Sequence, residues 1–153
     1  MTRLAFAVAT FFGCGHFPVG PGTAGSLVAL ALLALGYRFG LTRAALLFLL
    51  VLLIPLGVWA ATKTARSLGA KDPGMVVIDE VLGQWLTLLG APVWNWKSFT
   101  GAFLLFRLFD IWKPQPVRVA EALPSGIGIV ADDLVAGVYA ALILYIGALF
   151  RIY

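Results

Sequence analysis

Charge is what this sequence has least of. Of its 153 residues 12% are charged and 61% hydrophobic, and the mean hydropathy is +0.98. A soluble domain carries about a quarter charged residues. Too few are present here to cover a water-facing surface, so composition points to a membrane. Cysteine occurs once, as Cys14, which excludes an intrachain disulfide and a cysteine-based metal site. Histidine also occurs once, as His16. No tandem repeat, low-complexity tract or linker divides the chain, and residues 1–153 read as one domain. Residues Met1 to Phe12 meet Gly13 and Gly15 too soon for a signal peptide, so the N-terminus is expected to be kept.

What charge there is leans basic, with a net charge of +4. The basic residues fall mainly in short connections between apolar runs. That suits anionic lipid headgroups, whereas nucleic acid would call for denser basic clusters. Ala44 to Thr62 and Leu134 to Phe150 are free of charge and about long enough to cross the hydrocarbon core. A shorter run, Ser26 to Tyr37, spans only if it extends from near Thr23 through Arg38. The expected fold is therefore all-α, a compact integral-membrane bundle of about three spanning helices plus polar-striped helices. Of the latter, Met75 to Leu89 carries Glu80, Gly83, Gln84 and Thr87 on one stripe. Phe99 to Trp112 carries Arg107 and Asp110 as i, i+3 neighbours, and Pro114 follows it. Trp94 and Trp96 read as interfacial anchors. The basic connections holding Lys63, Arg66 and Lys71, and then Lys113 and Arg118, put the acid-bearing ends in the cytoplasm. Small residues on the last helix, Gly137 and Ala141, suit helix contact within the chain or between copies, so a homo-oligomer is open.

Seven acids exist, and six gather in three places: Asp72 with Asp79 and Glu80, then Asp110, then Asp132 with Asp133. Carboxylates bordering apolar helices are costly unless paired or bound to a cation. The doublets Asp79–Glu80 and Asp132–Asp133 would repel if held close. Mg²⁺ removes that repulsion, since it takes a few carboxylates plus water and phosphate oxygens.

The glycine-rich stretch from Gly13 to Ser26 lets backbone N–H groups approach an anion. Thr23 stands where it would cap the helix that follows, and a helix N-terminus favours phosphate. His16 reads as an ordinary turn residue ahead of a general acid. Several phosphatase chemistries are excluded. Position six after Cys14 is Gly20, so no Cys-x5-Arg loop exists; Asp-x-Asp is absent; a histidine nucleophile would lack a second histidine as helper. Metal-activated water, or an Asp nucleophile, attacking a phosphoryl group remains.

Four stretches, Gly13–Leu27, Asp72–Leu86, Phe103–Val117 and Gly126–Ala140, resemble in order the signature blocks of the phosphatidylglycerophosphatase A family. The resemblance implies an all-helical, Mg²⁺-dependent enzyme of the bacterial inner membrane. Such an enzyme hydrolyses phosphatidylglycerophosphate to phosphatidylglycerol and phosphate. Carried onto these positions, it makes Gly22, Thr23, Ser26, Arg107 and Lys113 candidates for the phosphate. Asp79, Glu80, Asp132 and Asp133 become candidates for the metal, and Asp110 and Asp79 for catalysis. The rival readings are a membrane cation transporter or channel subunit using the intramembrane acids, which lacks the expected inverted repeat, and a structural subunit pairing its acids with a partner.

Overall fold

The computed structural model describes residues 3–152. Among them the chain forms seven α-helices and one 3-10 turn and no strand. In order these are α1 (Arg3–Ala9), the 3-10 turn (Cys14–His16), α2 (Pro21–Arg38), α3 (Arg43–Leu68), α4 (Ile78–Leu89), α5 (Trp96–Trp112), α6 (Val117–Glu121) and α7 (Ser125–Leu149). Local chemistry sets the boundaries. Pro21 opens α2 with its φ already helical. The Thr42 hydroxyl caps α3 by accepting from the Ala45 N–H at 3.2 Å, and Gly69, left-handed at φ 64°, ends it. Asn95 and Ser98 form a reciprocal capping box at the start of α5.

Among the described residues two helices, α3 and α7, are long and apolar enough to cross a membrane; α2 is not among them. Their outward faces stay apolar: Leu47, Phe48, Val51 and Leu52 on α3, and Val138, Leu142 and Ile146 on α7, are exposed. Three boundaries differ from those read in the sequence. α7 begins at Ser125, not near Leu134, so Asp132 and Asp133 lie inside the helix rather than before it. α3 continues to Leu68 and carries Lys63 and Arg66 in its last turns. α4 begins at Ile78, because the Val77 N–H is drawn to the Ala9 carbonyl at 2.9 Å. Trp94 is not an interfacial anchor: it is buried, donates its indole N–H to the Leu88 carbonyl at 3.0 Å and meets Tyr37 edge-on. Trp96 is exposed, as an anchor would be.

α4 packs against α2, α3, α5 and most extensively α7, which also packs against α3, α5 and α6. Glycine permits the last contact. A Cβ on Gly83 would stand 2.5 Å from the Phe106 ring and 2.7 Å from the Asp133 carbonyl, and one on Gly137 would stand 2.6 Å from the Gly83 carbonyl. Gly90 meets the Ala141 carbonyl in the same way. Gly137 and Ala141 thus serve contact within the chain. Backbone cannot rotate aside as a side chain can. Gly137→Ala is therefore expected to destabilise the protein by about 3 kcal/mol, read as a lowered melting temperature in detergent. A melting temperature equal to the parent's would show that α4 and α7 do not meet this closely.

Candidate active site

The α4–α7 contact brings three carboxylates together. Asp79 and Glu80 lie in the first turn of α4 and Asp133 lies on α7. One ligand oxygen from each lies within 4.8 Å of the others. Asp79 and Asp133 are buried, and Asp79 Oδ1, Glu80 Oε2 and Asp133 Oδ2 are buried without a hydrogen-bond partner. Burial, and then the charges of Glu80 and Asp133, push the Asp79 carboxyl well above the ordinary carboxylate range. Three converging acids with an unpartnered oxygen each make a hard-cation donor set, and these residues fit Mg²⁺.

A basic and partly open edge adjoins the triad. Arg107 Nη1 on α5 lies 2.5 Å from Asp110 Oδ2 and 4.0 Å from Glu80 Oε1, with side chains 17%, 14% and 15% exposed respectively. These three side chains are the partly exposed members of the cluster, whereas Asp79 and Asp133 are buried. Asp110 also acts electrostatically on Asp133. The start of α2 closes the assembly: a Cβ on Gly22 would collide with the Glu80 carboxylate and stand 3.3 Å from Arg107 Nη1. No side chain caps that helix start. A helix N-terminus, a guanidinium and three acids therefore meet at one place, the parts needed to hold a phosphate beside a cation.

Other predicted residues stand differently. Thr23 lies inside α2 and does not cap it; Gly20 occupies the cap in left-handed conformation, because Pro21 starts the helix. Ser26 is buried and its hydroxyl donates to the Gly22 carbonyl at 3.0 Å, so it braces the turn rather than facing a ligand. Asp132 is apart from the triad. Its Oδ2 takes Lys113 Nζ at 2.7 Å, and Glu121 Oε1 takes the same ammonium at 2.7 Å. Burial works against the charged Lys113, but the hydrogen bonds it donates to Asp132 and Glu121 outweigh it and its pKa is raised. Lys113 therefore ties the end of α5 to α6 and α7. His16 is the exposed residue of the 3-10 turn, its Nδ1 3.3 Å from the Gly13 carbonyl and its ring edge-on to Phe6. Sequence reasoning missed Glu121, the one acid outside the three groups; its place eight residues after Lys113, with Pro114 and Pro116 turning the chain between them, was the available signal.

An all-helical, apolar chain with buried acids facing a guanidinium and a helix N-terminus has the architecture of a membrane phosphohydrolase. The phosphatidylglycerophosphatase A family model matches residues 7–148, and the chain belongs to that family of phosphoric monoester hydrolases. It is 40% identical to the phosphatidylglycerophosphatase A of Escherichia coli K12, over 90% of this chain and 80% of that protein. It is 38% identical to the Haemophilus influenzae Rd protein of the same description, over 90% and 85%. A Bacteroides thetaiotaomicron relative described as "Putative phosphatidylinositol-3-phosphatase" is 41% identical over 92% and 91%. No solved structure matches the chain.

Proposed function

We propose that this protein hydrolyses phosphatidylglycerophosphate to phosphatidylglycerol and inorganic phosphate, with Mg²⁺ held by Asp79, Glu80 and Asp133. The observation that carries this reading is the meeting of that triad with Arg107 and the Gly22 end of α2. The free N–H groups of the α2 start and the Arg107 guanidinium grip the terminal phosphate and offset the charge that would repel a nucleophile. Asp110, beside both Arg107 and Asp133, takes the proton of the attacking water. The water oxygen forms the new P–O bond as the bond to the glycerol oxygen breaks; that oxygen takes up a proton from solvent, and Asp110 returns the one it accepted to solvent. Bound Mg²⁺ supplies further positive charge against the phosphoryl oxygens. Asp132 and Lys113 hold the frame through their ion pair.

In this reading α3 and α7 cross the inner membrane. The basic connections holding Lys63, Arg66 and Lys71, and then Lys113 and Arg118, support a site on the cytoplasmic side. The acyl chains stay in the bilayer and the headgroup reaches the site sideways. The B. thetaiotaomicron relative favours a second reading, an inositol lipid phosphate as substrate. One assay separates them: phosphate release by the purified protein from phosphatidylglycerophosphate, phosphatidylinositol 3-phosphate and glycerol 3-phosphate, each with Mg²⁺ or chelator. Chelator-sensitive release, fastest from phosphatidylglycerophosphate, is expected. Faster release from the inositol lipid would move the substrate, and equal turnover of glycerol 3-phosphate would refute sideways lipid entry. No release from any of the three would refute the enzyme reading.

A further inference from the structure

Gln84 stands one turn after Glu80 on α4 and is wholly buried, yet neither atom of its amide has a hydrogen-bond partner. The polar side chains that follow it on α4 are occupied. Thr87 Oγ1 donates to the Gly83 carbonyl at 2.9 Å, and Trp85 Nε1 donates to the Ala29 carbonyl at 2.8 Å. A buried amide left unsatisfied is a standing cost in the folded state, and a Leu of similar size would avoid it. Glu80 Oε2 is the complementary case, a buried acceptor without a donor. Gln84 follows Glu80 by four residues, so the two side chains share one face of α4.

We propose that Gln84 is a positioning residue for the acid triad: its Nε2–H donates to Glu80 Oε2 when the carboxylates close on a divalent cation. This inference rests on the cation reading above. Glu80 Oε1 is already turned toward Arg107 and the Gly22 backbone. A hydrogen bond to Oε2 fixes the remaining rotation of the carboxylate. A carboxylate oxygen has lone pairs enough for both an amide and a cation. Carboxylate ligands commonly need such an outer partner, and its loss weakens metal binding about 10–100-fold.

The test is calorimetric titration of Mg²⁺ alone into the full chain in detergent, for the parent, Gln84→Leu, Glu80→Gln and the double variant, with melting temperatures beside it. Gln84→Leu is expected to weaken Mg²⁺ binding about 10–100-fold while its melting temperature holds or rises, the reverse of a core-packing role. In the Glu80→Gln background it should add less than about twofold, since the two act through one contact. Unchanged affinity in Gln84→Leu, or full additivity in the double variant, overturns the proposal. If Gln84→Leu does not fold, Gln84→Met takes its place, and failure of both assigns Gln84 to the core and overturns it too. A parent that binds no Mg²⁺ refutes the cation reading itself, and this inference with it.

Discussion

Replacing Asp79 by Asn is expected to lower kcat for phosphate release about 10³-fold, the effect of several kcal/mol of lost transition-state stabilisation, while the protein stays folded. The two outcomes part because the residue's charge works against the fold and for the chemistry. Asp79 is buried, and Glu80 and Asp133 each offer an oxygen within 4.8 Å. Asn keeps the shape and removes one of three repelling acids. Its melting temperature should therefore equal or exceed the parent's; the lost interaction with the α4 dipole is about 0.3–1 kcal/mol. What Asn cannot do is serve as an anionic ligand. Raising Mg²⁺ should recover part of the activity, because the lost step includes binding. Phosphate release and thermal unfolding in the same detergent check both halves. A variant that is inactive and also melts far below the parent would assign Asp79 to the fold instead.

How much of this was legible in the sequence differs by element. The Arg107–Asp110 pair was, because i, i+3 spacing on a helix leaves little choice of neighbour. The gathering of α2's start, α4 and α7 was legible only through the family blocks, since nothing local in Gly22 announces Glu80 as its neighbour. The doublet Asp132–Asp133 misled. Adjacent residues on a helix point about 100° apart, so one turns to Asp79 and Glu80 and the other to Lys113. Sequence grouped them by proximity, whereas helical rotation divides them. The start of α7 is hidden for the same reason: the charge-free run begins at Leu134, but the helix begins at Ser125 and carries both acids inward. Asp133 is tolerated there because it meets other acids at a donor set and Asp132 because it meets an ammonium. Thr23 misled for another reason. Its side chain suits a cap, but Pro21 two residues earlier suits the first helical position better.

Gly22→Ala is expected to separate stability from activity most sharply at a position with no side chain at all. In helix terms the change favours folding, since Ala is better than Gly by about 1 kcal/mol. Gly22 is helical, and its φ is not in the left-handed region. The added Cβ would collide with the Glu80 carboxylate and stand 3.3 Å from Arg107 Nη1. Both are ends of flexible side chains, so the fold accommodates them by moving the carboxylate and the guanidinium rather than the helices. Those are the groups that must stay in place, and displacing a catalytic group by about 1 Å costs about 10²-fold in rate. The variant should therefore melt at or above the parent temperature and lose about 10²-fold in kcat/KM. Gly25→Ala serves as comparison: its Cβ would stand 3.0 Å from the Val77 side chain, away from the acids. It tightens the α2–α4 contact and should perturb melting more than turnover. Full activity in Gly22→Ala would mean that Glu80 works in another position than the one seen here, and would remove the α2 start from the phosphate site.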